Sequence, residues 1–187
     1  GTLLTRSPEV LRFLLREGAD PNVQENEIGT PVLAGVVYWH DPRLVDLLLS
    51  SGADPNRADP ITGVTALHRA AAGDTAGHTK IVRLLLGAGA NPNAATVPGH
   101  LDFAYDPPVR TRGETPLHVA ALGGSEASLD LLIAHGADRE SVDANGDPPC
   151  AWAALGGRAN AICQRLTTDA MRKESREVFW SRANRLR

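Results

Sequence analysis

The sequence predicts an all-α protein built from repeated helical units, and two recurring patterns support this. The phrase G-A-D/N-x-N occurs at 18–22, 52–56 and 89–93, with a shortened fourth copy at 136–138. A stripe of bulky aliphatic residues at helical spacing precedes each copy. Because a glycine directly after such a stripe typically ends a helix in the left-handed region, each phrase marks the C-terminus of a helix.

A second pattern marks the start of the units. T-A-L-H at 65–68 and T-P-L-H at 115–118 open two of them, and a degenerate T-P-V-L at 30–33 opens another. The threonine is suited to cap a helix, and Pro31 and Pro116 are expected at the first helical position, where a missing N–H costs nothing. Capping residues for a second helix follow at Ser7, Asp41 and Ser125. Each complete unit is therefore predicted to hold two helices.

The spacing of the units is irregular in two places. The phrase glycines, which are 34, 37 and 47 residues apart, are Gly18, Gly52, Gly89 and Gly136. Extra residues around 74–76 are expected to lengthen the turn between the two helices of the third unit. An insertion of about 13 residues lies between Asn93 and Arg112. Its alternating apolar residues predict an elongated finger, and an ordered extended loop is the alternative.

Taken together and in this order, the phrases resemble the ankyrin repeat. The resemblance implies an α-solenoid of about five stacked helix-turn-helix repeats with short β-hairpin fingers, one extended insertion between repeats and a C-terminal capping helix. The expected parts of this single domain over 1–187 are a partial first repeat at 1–22, repeats at 23–56, 57–93 and 94–140 with the insertion at 94–112, a degenerate last repeat at 141–167, and the capping helix at 168–187. The rings of Tyr38 and Trp39 are expected to fill space left by the missing first helix of the partial repeat.

The resemblance implies a binding scaffold without catalytic residues, cofactor or metal. His68 and His118 occupy the motif position where an imidazole ties the turn together, and no metalloprotease, P-loop or nucleophile-elbow motif accompanies them. The net charge of −3 argues against nucleic acid as the partner, which needs a basic surface. No apolar run approaches the roughly 18 residues of a membrane span. We expect an unknown partner protein, a monomer and a cytoplasmic location, with a removed leader left open because the chain begins at Gly1.

The residues expected to contact a partner lie in two places. The first is the groove strip, defined by the residues that follow the motif histidine position: Ala34, Arg69, Val119 and Trp152. Trp152 is interpreted either as an exposed anchor or as a residue packed under the terminal helix. The second place is the insertion, where Phe103 and Tyr105 either anchor a partner or pack back onto the scaffold. Further charge is expected from Arg57, Arg110 and Arg112.

Cys150 and Cys163 lack the spacing of a metal site. Two reduced core thiols are expected, which would fit an intracellular protein. A disulfide between two helices of one repeat stays open, because spacing alone does not decide it.

Three other functions also stay open at the level of the sequence. The chain could be a regulatory or targeting segment of a larger polypeptide, or a structural scaffold that self-associates through exposed aromatic faces. It could also be a small enzyme that uses the groove, which would require a deep pocket with converging, perturbed titratable groups.

Overall fold

The computed structural model describes residues 3–25, 29–102 and 109–167. The helices in this part of the chain are α1 (Pro8–Arg16), α2 (Val32–Val36), α3 (Pro42–Ser50), α4 (Ala66–Ala71), α5 (Ala76–Gly87), α6 (Pro116–Gly123), α7 (Glu126–Ala134), α8 (Pro149–Leu155) and α9 (Ala159–Leu166), with a 3-10 turn at Val37–Trp39. Two antiparallel strand pairs join β1 (Gln24–Glu25) to β2 (Thr30–Pro31) and β3 (Leu101–Asp102) to β4 (Val109–Arg110). The capping helix expected at 168–187 lies outside the described residues.

The helices stack in two rows. The first helices of successive repeats, α2, α4, α6 and α8, contact one another in order, and the second helices α3, α5 and α7 do the same, with α1 packed on α3. Fully buried alanines such as Ala70 and Ala120 keep the first row thin, and leucines such as Leu48 and Leu85 fill the second. The core therefore runs along the whole stack, as in other repeat proteins.

The capping residues found in the sequence begin the helices. Ser7 Oγ accepts a hydrogen bond from the N–H of Val10 at 3.3 Å, and the Asp41 carboxylate accepts one from the N–H of Arg43 at 2.9 Å. Pro31 departs from the expectation, because it pairs in β2 and helix α2 begins one residue later. Strand pairing holds Pro31 at a ψ of 136°, so this proline precedes the helix instead of starting it.

Three extra residues of the third repeat lengthen its second helix. Thr75 caps α5 ten residues after the Thr65 that caps α4, and the interval between the caps of α6 and α7 is the same. Helix α5 then has 12 residues, whereas α7 has 9. Thr75 Oγ1 lies 2.7 Å from His78 Nδ1 and so repeats the Thr–His arrangement of a repeat start. Four residues, 72–75, separate α4 from α5, whereas two, 124–125, separate α6 from α7, so the longer turn expected around 74–76 is found and α5 is lengthened as well.

The motif histidines join each repeat to the next. His68 Nδ1 accepts the N–H of Thr65 at 3.2 Å, and His68 Nε2 lies 3.2 Å from the carbonyl oxygen of Glu114 in the following repeat. His118 has equivalent contacts within its own repeat and with the carbonyl oxygen of Asp147. Burial lowers the pKa of His68 to about 4 and also lowers the pKa of His118. Both rings are therefore neutral at pH 7, with Nε2–H as the donor, and their structural role is confirmed.

Asparagines at the end of the repeated phrases supply a second set of bonds between repeats. The side-chain amide of Asn56 donates to the carbonyl oxygen of Gly89 at 3.0 Å, and Asn56 Oδ1 accepts the N–H of Asn91 at 2.6 Å. The same pair of bonds joins Asn22 to Gly52 and Asp54, and Asn93 to Gly136 and Asp138. We call this series of three asparagines the asparagine ladder.

Cys150 and Cys163 form a disulfide that joins α8 to α9. Their Cα atoms are 4.9 Å apart, and 13 residues separate them in sequence. The structure thus differs from the expected pair of reduced thiols, because the packing of two short helices places both side chains at the same contact. The bond closes the degenerate last repeat on itself.

The base of the insertion is a β-hairpin. Strands β3 and β4 pair with Leu101 opposite Arg110. Below the hairpin, Thr96 Oγ1 donates to a carboxylate oxygen of Glu114 at 2.9 Å. The tip at 103–108 lies outside the described residues.

Candidate protein-binding surface

Stacking of the first helices buries most of the groove strip. Ala34 in α2 and Val119 in α6 are buried, whereas Arg69 in α4 is half-buried. Small side chains at these positions allow adjacent helices to approach closely, and the same close approach removes them from solvent. Val119 was expected to contact a partner, but little of its surface is available for contact.

Trp152 is a packing residue and not an exposed anchor. Only 8% of its surface is accessible, and its Nε1–H donates to Asp143 Oδ2 at 3.1 Å. The ring also meets His118 edge-on, with centroids 5.6 Å apart. A buried indole needs an acceptor for its N–H, and the neighbouring finger provides one. The interpretation as an exposed anchor is therefore wrong.

The predicted arginines differ in their surroundings. The Arg112 guanidinium lies 5.8 Å from the Trp152 ring centroid, within the range of a cation–π contact. Arg57 is exposed in the finger before α4, and its backbone N–H donates to the carbonyl oxygen of Asp54 at 3.3 Å. For Arg110 the structure describes only the backbone pairing in β4. Two further candidates, Phe103 and Tyr105, lie outside the described residues.

Successive fingers are hydrogen-bonded edge to edge. The N–H of Val97 donates to the carbonyl oxygen of Thr62 at 2.8 Å, and the N–H of Ala144 donates to the carbonyl oxygen of Arg112 at 2.6 Å. We refer to the connected segments 57–65, 94–102, 109–114 and 139–147 as the finger row. These backbone bonds fix each finger relative to its neighbour.

Large aliphatic side chains are exposed along the finger row. Those residues are Ile61, Val97, Leu101 and Val142, with accessible fractions between 41% and 55%. None of the four is among the binding candidates predicted from the sequence, because those predictions favoured aromatic anchors and charged partners. The signal in the sequence was an apolar residue within a turn segment, outside any helical stripe.

The two rings after α2 have separate roles. Trp39 is half-buried against the core, with the Arg6 guanidinium 5.8 Å from its ring centroid. Leu4 packs so closely on Gly35 of α2 that a Cβ there would lie 2.7 Å from a Leu4 methyl carbon. Leu4 therefore packs against α2, and Trp39 packs against the core. Tyr38 is exposed and its ring faces Arg69, and the filling of a missing helix's space by these rings stays a prediction.

A cavity of about 270 Å³ lies between the turn at 37–39 and helices α4 and α5. Tyr38, His40, Arg69 and His78 contribute to its walls. The Arg69 guanidinium lies 4.8 Å from the Tyr38 ring centroid, and the rings of His40 and His78 have centroids 4.1 Å apart. Burial, followed by the charge of His40, lowers the pKa of His78. Arg69 is thus the permanent cation of this cavity.

The described residues contain neither a membrane-spanning helix nor a metal-type cluster of side chains. Within 3–25, 29–102 and 109–167, no helix is long and apolar enough to cross a bilayer. In that same part of the chain, no three His, Cys, Asp or Glu side chains come together as a metal site.

Stacked helix pairs, histidine-to-carbonyl contacts between repeats and hydrogen-bonded fingers define an ankyrin-repeat protein. A family model of ankyrin repeats in three copies matches residues 4–96, and a model of the single ankyrin repeat matches residues 112–144. The chain belongs to the ankyrin-repeat family, whose repeats are general protein-interaction modules.

Among characterised proteins, the chain is similar to ARF GTPase-activating protein GIT1. It is 36% identical over 69 residues to the proteins of that name from Homo sapiens, Mus musculus and Rattus norvegicus. The match covers 37% of this chain and 9% of each of those proteins. The chain thus covers less than a tenth of the length of these relatives.

Proposed function

We propose that this chain is a non-enzymatic protein-interaction module that binds a partner protein through its concave groove and its 94–112 insertion. The observation that carries the proposal is the finger row with its exposed aliphatic side chains. Scattered exposed aliphatic residues are ordinary on protein surfaces, but a series on successive connected fingers is typical of an interaction surface.

The hydrogen bonds between fingers favour binding. Because Val97 and Ala144 each bond to the preceding finger, the backbone of the finger row is ordered before any partner arrives. A preformed surface loses little conformational entropy on association, so more of the contact energy appears as affinity. Side chains at the finger tips then set the specificity, and Phe103 and Tyr105 remain proposed anchors there.

Trp152 contributes to this surface indirectly. Its indole is fixed by Asp143 and lies beneath the Arg112 guanidinium. A cation held over an aromatic ring keeps its charge while its orientation is restricted, which suits a polar rim around apolar contacts. We propose that Arg112 and the exposed Arg57 supply this rim.

The test is capture of partners from a lysate of the native host with four forms of the protein. They are the wild type, a finger variant (Ile61→Ser, Val97→Ser, Val142→Ser), an insertion variant (Phe103→Ala, Tyr105→Ala) and a control (Val10→Ser, Phe13→Ser). The control removes exposed apolar residues from α1, away from the finger row. Circular dichroism establishes that every form is folded.

We expect a specific protein that the wild type and the control retain and that the finger variant loses. Loss in the insertion variant as well would extend the contact to the tip of the insertion. Equal capture by the wild type and the finger variant would contradict the proposal.

A further inference from the structure

The cavity beside Tyr38 holds a buried cationic donor without an acceptor. Arg69 Nε is buried, and it has no hydrogen-bond partner among the described residues. The ion pairs found in the described part of the chain involve Arg43 and Arg165, and Arg69 takes part in none of them. A buried N–H group that lacks an acceptor is unfavourable, so an acceptor that enters the cavity and draws the Arg69 guanidinium towards it would relieve this cost.

The other walls of the cavity leave room for a negative charge. No carboxylate is among the described residues that line the cavity. The charge of Asp74 acts to raise the pKa of His78, against the larger lowering effect of burial. His78 Nδ1 is already engaged by Thr75 Oγ1 at 2.7 Å. The strongest unmet interaction in the cavity is therefore that of the Arg69 guanidinium.

We propose that this cavity receives an acidic side chain, Asp or Glu, from the partner protein. The inference rests on the proposed function and adds the chemistry of one contact. A volume of about 270 Å³ is below the roughly 300–1,000 Å³ of small-molecule sites and suits a single side chain. The carboxylate pairs with Arg69 in a charge-assisted hydrogen bond, while the exposed part of Tyr38 contacts its methylene groups.

Selection from a random peptide library displayed on phage tests this pairing without a known partner. Wild type should enrich peptides with Asp or Glu at one fixed position, and Arg69→Glu should enrich Lys or Arg at that position. A synthetic peptide from the wild-type selection should lose at least about tenfold in affinity when its acidic residue becomes the amide. The same peptide change should have no effect on binding to Arg69→Gln.

Two variants keep the test specific. Arg57→Glu makes the same change of charge as Arg69→Glu, but at an exposed arginine outside the cavity. This variant should still enrich peptides with an acidic residue at the fixed position. Arg69→Lys keeps the charge and should retain the acidic preference with lower affinity, provided that circular dichroism shows a native fold.

A selected motif without an acidic position would overturn the inference, as would a motif that is unchanged in Arg69→Glu or the absence of any enrichment. The outcome is separable from the proposed function. If peptides without an acidic residue bind, and their binding depends on the finger row, the proposed binding surface is supported and the acidic contact is contradicted.

Discussion

The side-chain amide of Asn56 donates a hydrogen bond to the carbonyl oxygen of Gly89 at 3.0 Å. Gly89 follows α5 in the left-handed region, with a φ of 87°, where the helix has ended. The last carbonyl groups of α5 accept N–H groups of its own turn, such as Gly89 N–H on Leu86 and Ala90 N–H on Leu85. The carbonyl of Gly89 itself is bonded by Asn56 from the preceding repeat, which couples the two turns directly.

Replacement of Asn56 by alanine tests the asparagine ladder. Asn56→Ala should lower the free energy of unfolding by about 1–2 kcal/mol, because two exposed inter-repeat hydrogen bonds are lost. Urea denaturation followed by circular dichroism measures the change. As a control, Asp46→Ala removes an exposed side chain of α3 and should stay within about 0.5 kcal/mol of wild type. Identical midpoints for the two variants would show that the ladder contributes nothing.

The ladder stops before the last repeat. The position after the fourth phrase that corresponds to Asn56 is Glu140. In place of a further asparagine, Arg165 of α9 forms ion pairs at 2.9 Å with Glu126 and Asp130 of α7. Exposed ion pairs of this kind contribute little to stability. Beside the buried core of α8 and α9, the disulfide is therefore the covalent constraint that the described residues place on the last repeat.

The state of Cys150 and Cys163 gives the second prediction. Protein denatured without reductant should show no free thiol to a thiol-reactive dye, and two after reduction. Reduction, or replacement of both cysteines by serine, should lower stability by about 2–3 kcal/mol, since a closed loop of this length restricts the unfolded chain. Two reactive thiols in the unreduced protein would establish the thiol form and contradict the bond.

The third prediction concerns the loss of folding stability at acidic pH. The folded-state pKa of His68 is about 4, below its ordinary value of 6.5, because burial disfavours the charged ring. Between these values the unfolded chain binds the proton more readily, so stability is complete above pH 6.5 and is lost as pH falls towards 4. The loss attributable to His68 should be on the order of 3 kcal/mol. Urea denaturation at pH 7 and pH 5 should show about 2 kcal/mol of this loss, because the interval covers only part of the range between the two pKa values.

Two variants separate His68 from other groups. His100→Gln removes an exposed histidine and should keep the full pH dependence. His68→Gln should be less stable at pH 7 but should depend less on pH, because the titrating ring is gone. An unchanged pH dependence in His68→Gln would assign the effect to another residue.

The sequence was informative wherever a structural feature depends on neighbours within one helical turn. Ser7 and Asp41 begin α1 and α3 as expected, since a cap needs only its own side chain and an N–H two or three residues later. The sequence did not predict the asparagine ladder, because the partner of Asn56 lies 33 residues away along the chain. Thr75 was also missed, although its spacing to His78 repeats the pattern of a repeat start.

For the candidate surface, position within the repeat was predictable and accessibility was not. Arg69 and Trp152 occupy equivalent places in the groove strip. Trp152 is buried because Asp143 reaches its indole N–H, whereas Arg69 stays half-buried above Tyr38. Both partners lie in other segments of the chain, so helical periodicity carries no information about them.

The last prediction compares Val10 with Leu44, which occupy the same place in their repeats, eight residues before Gly18 and Gly52. Both belong to apolar stripes, yet Val10 is 47% exposed and Leu44 is fully buried, because α1 covers α3 while no described helix precedes α1. Leu44→Ala should cost about 2–5 kcal/mol of unfolding free energy, whereas Val10→Ala should cost less than about 0.5 kcal/mol. Alanine is a better helix former than valine, so a gain in helix propensity further offsets the small cost expected at Val10. A large cost at Val10 would mean that this side of α1 is covered in the folded protein, and light scattering over a range of concentrations would then reveal whether a second molecule covers it.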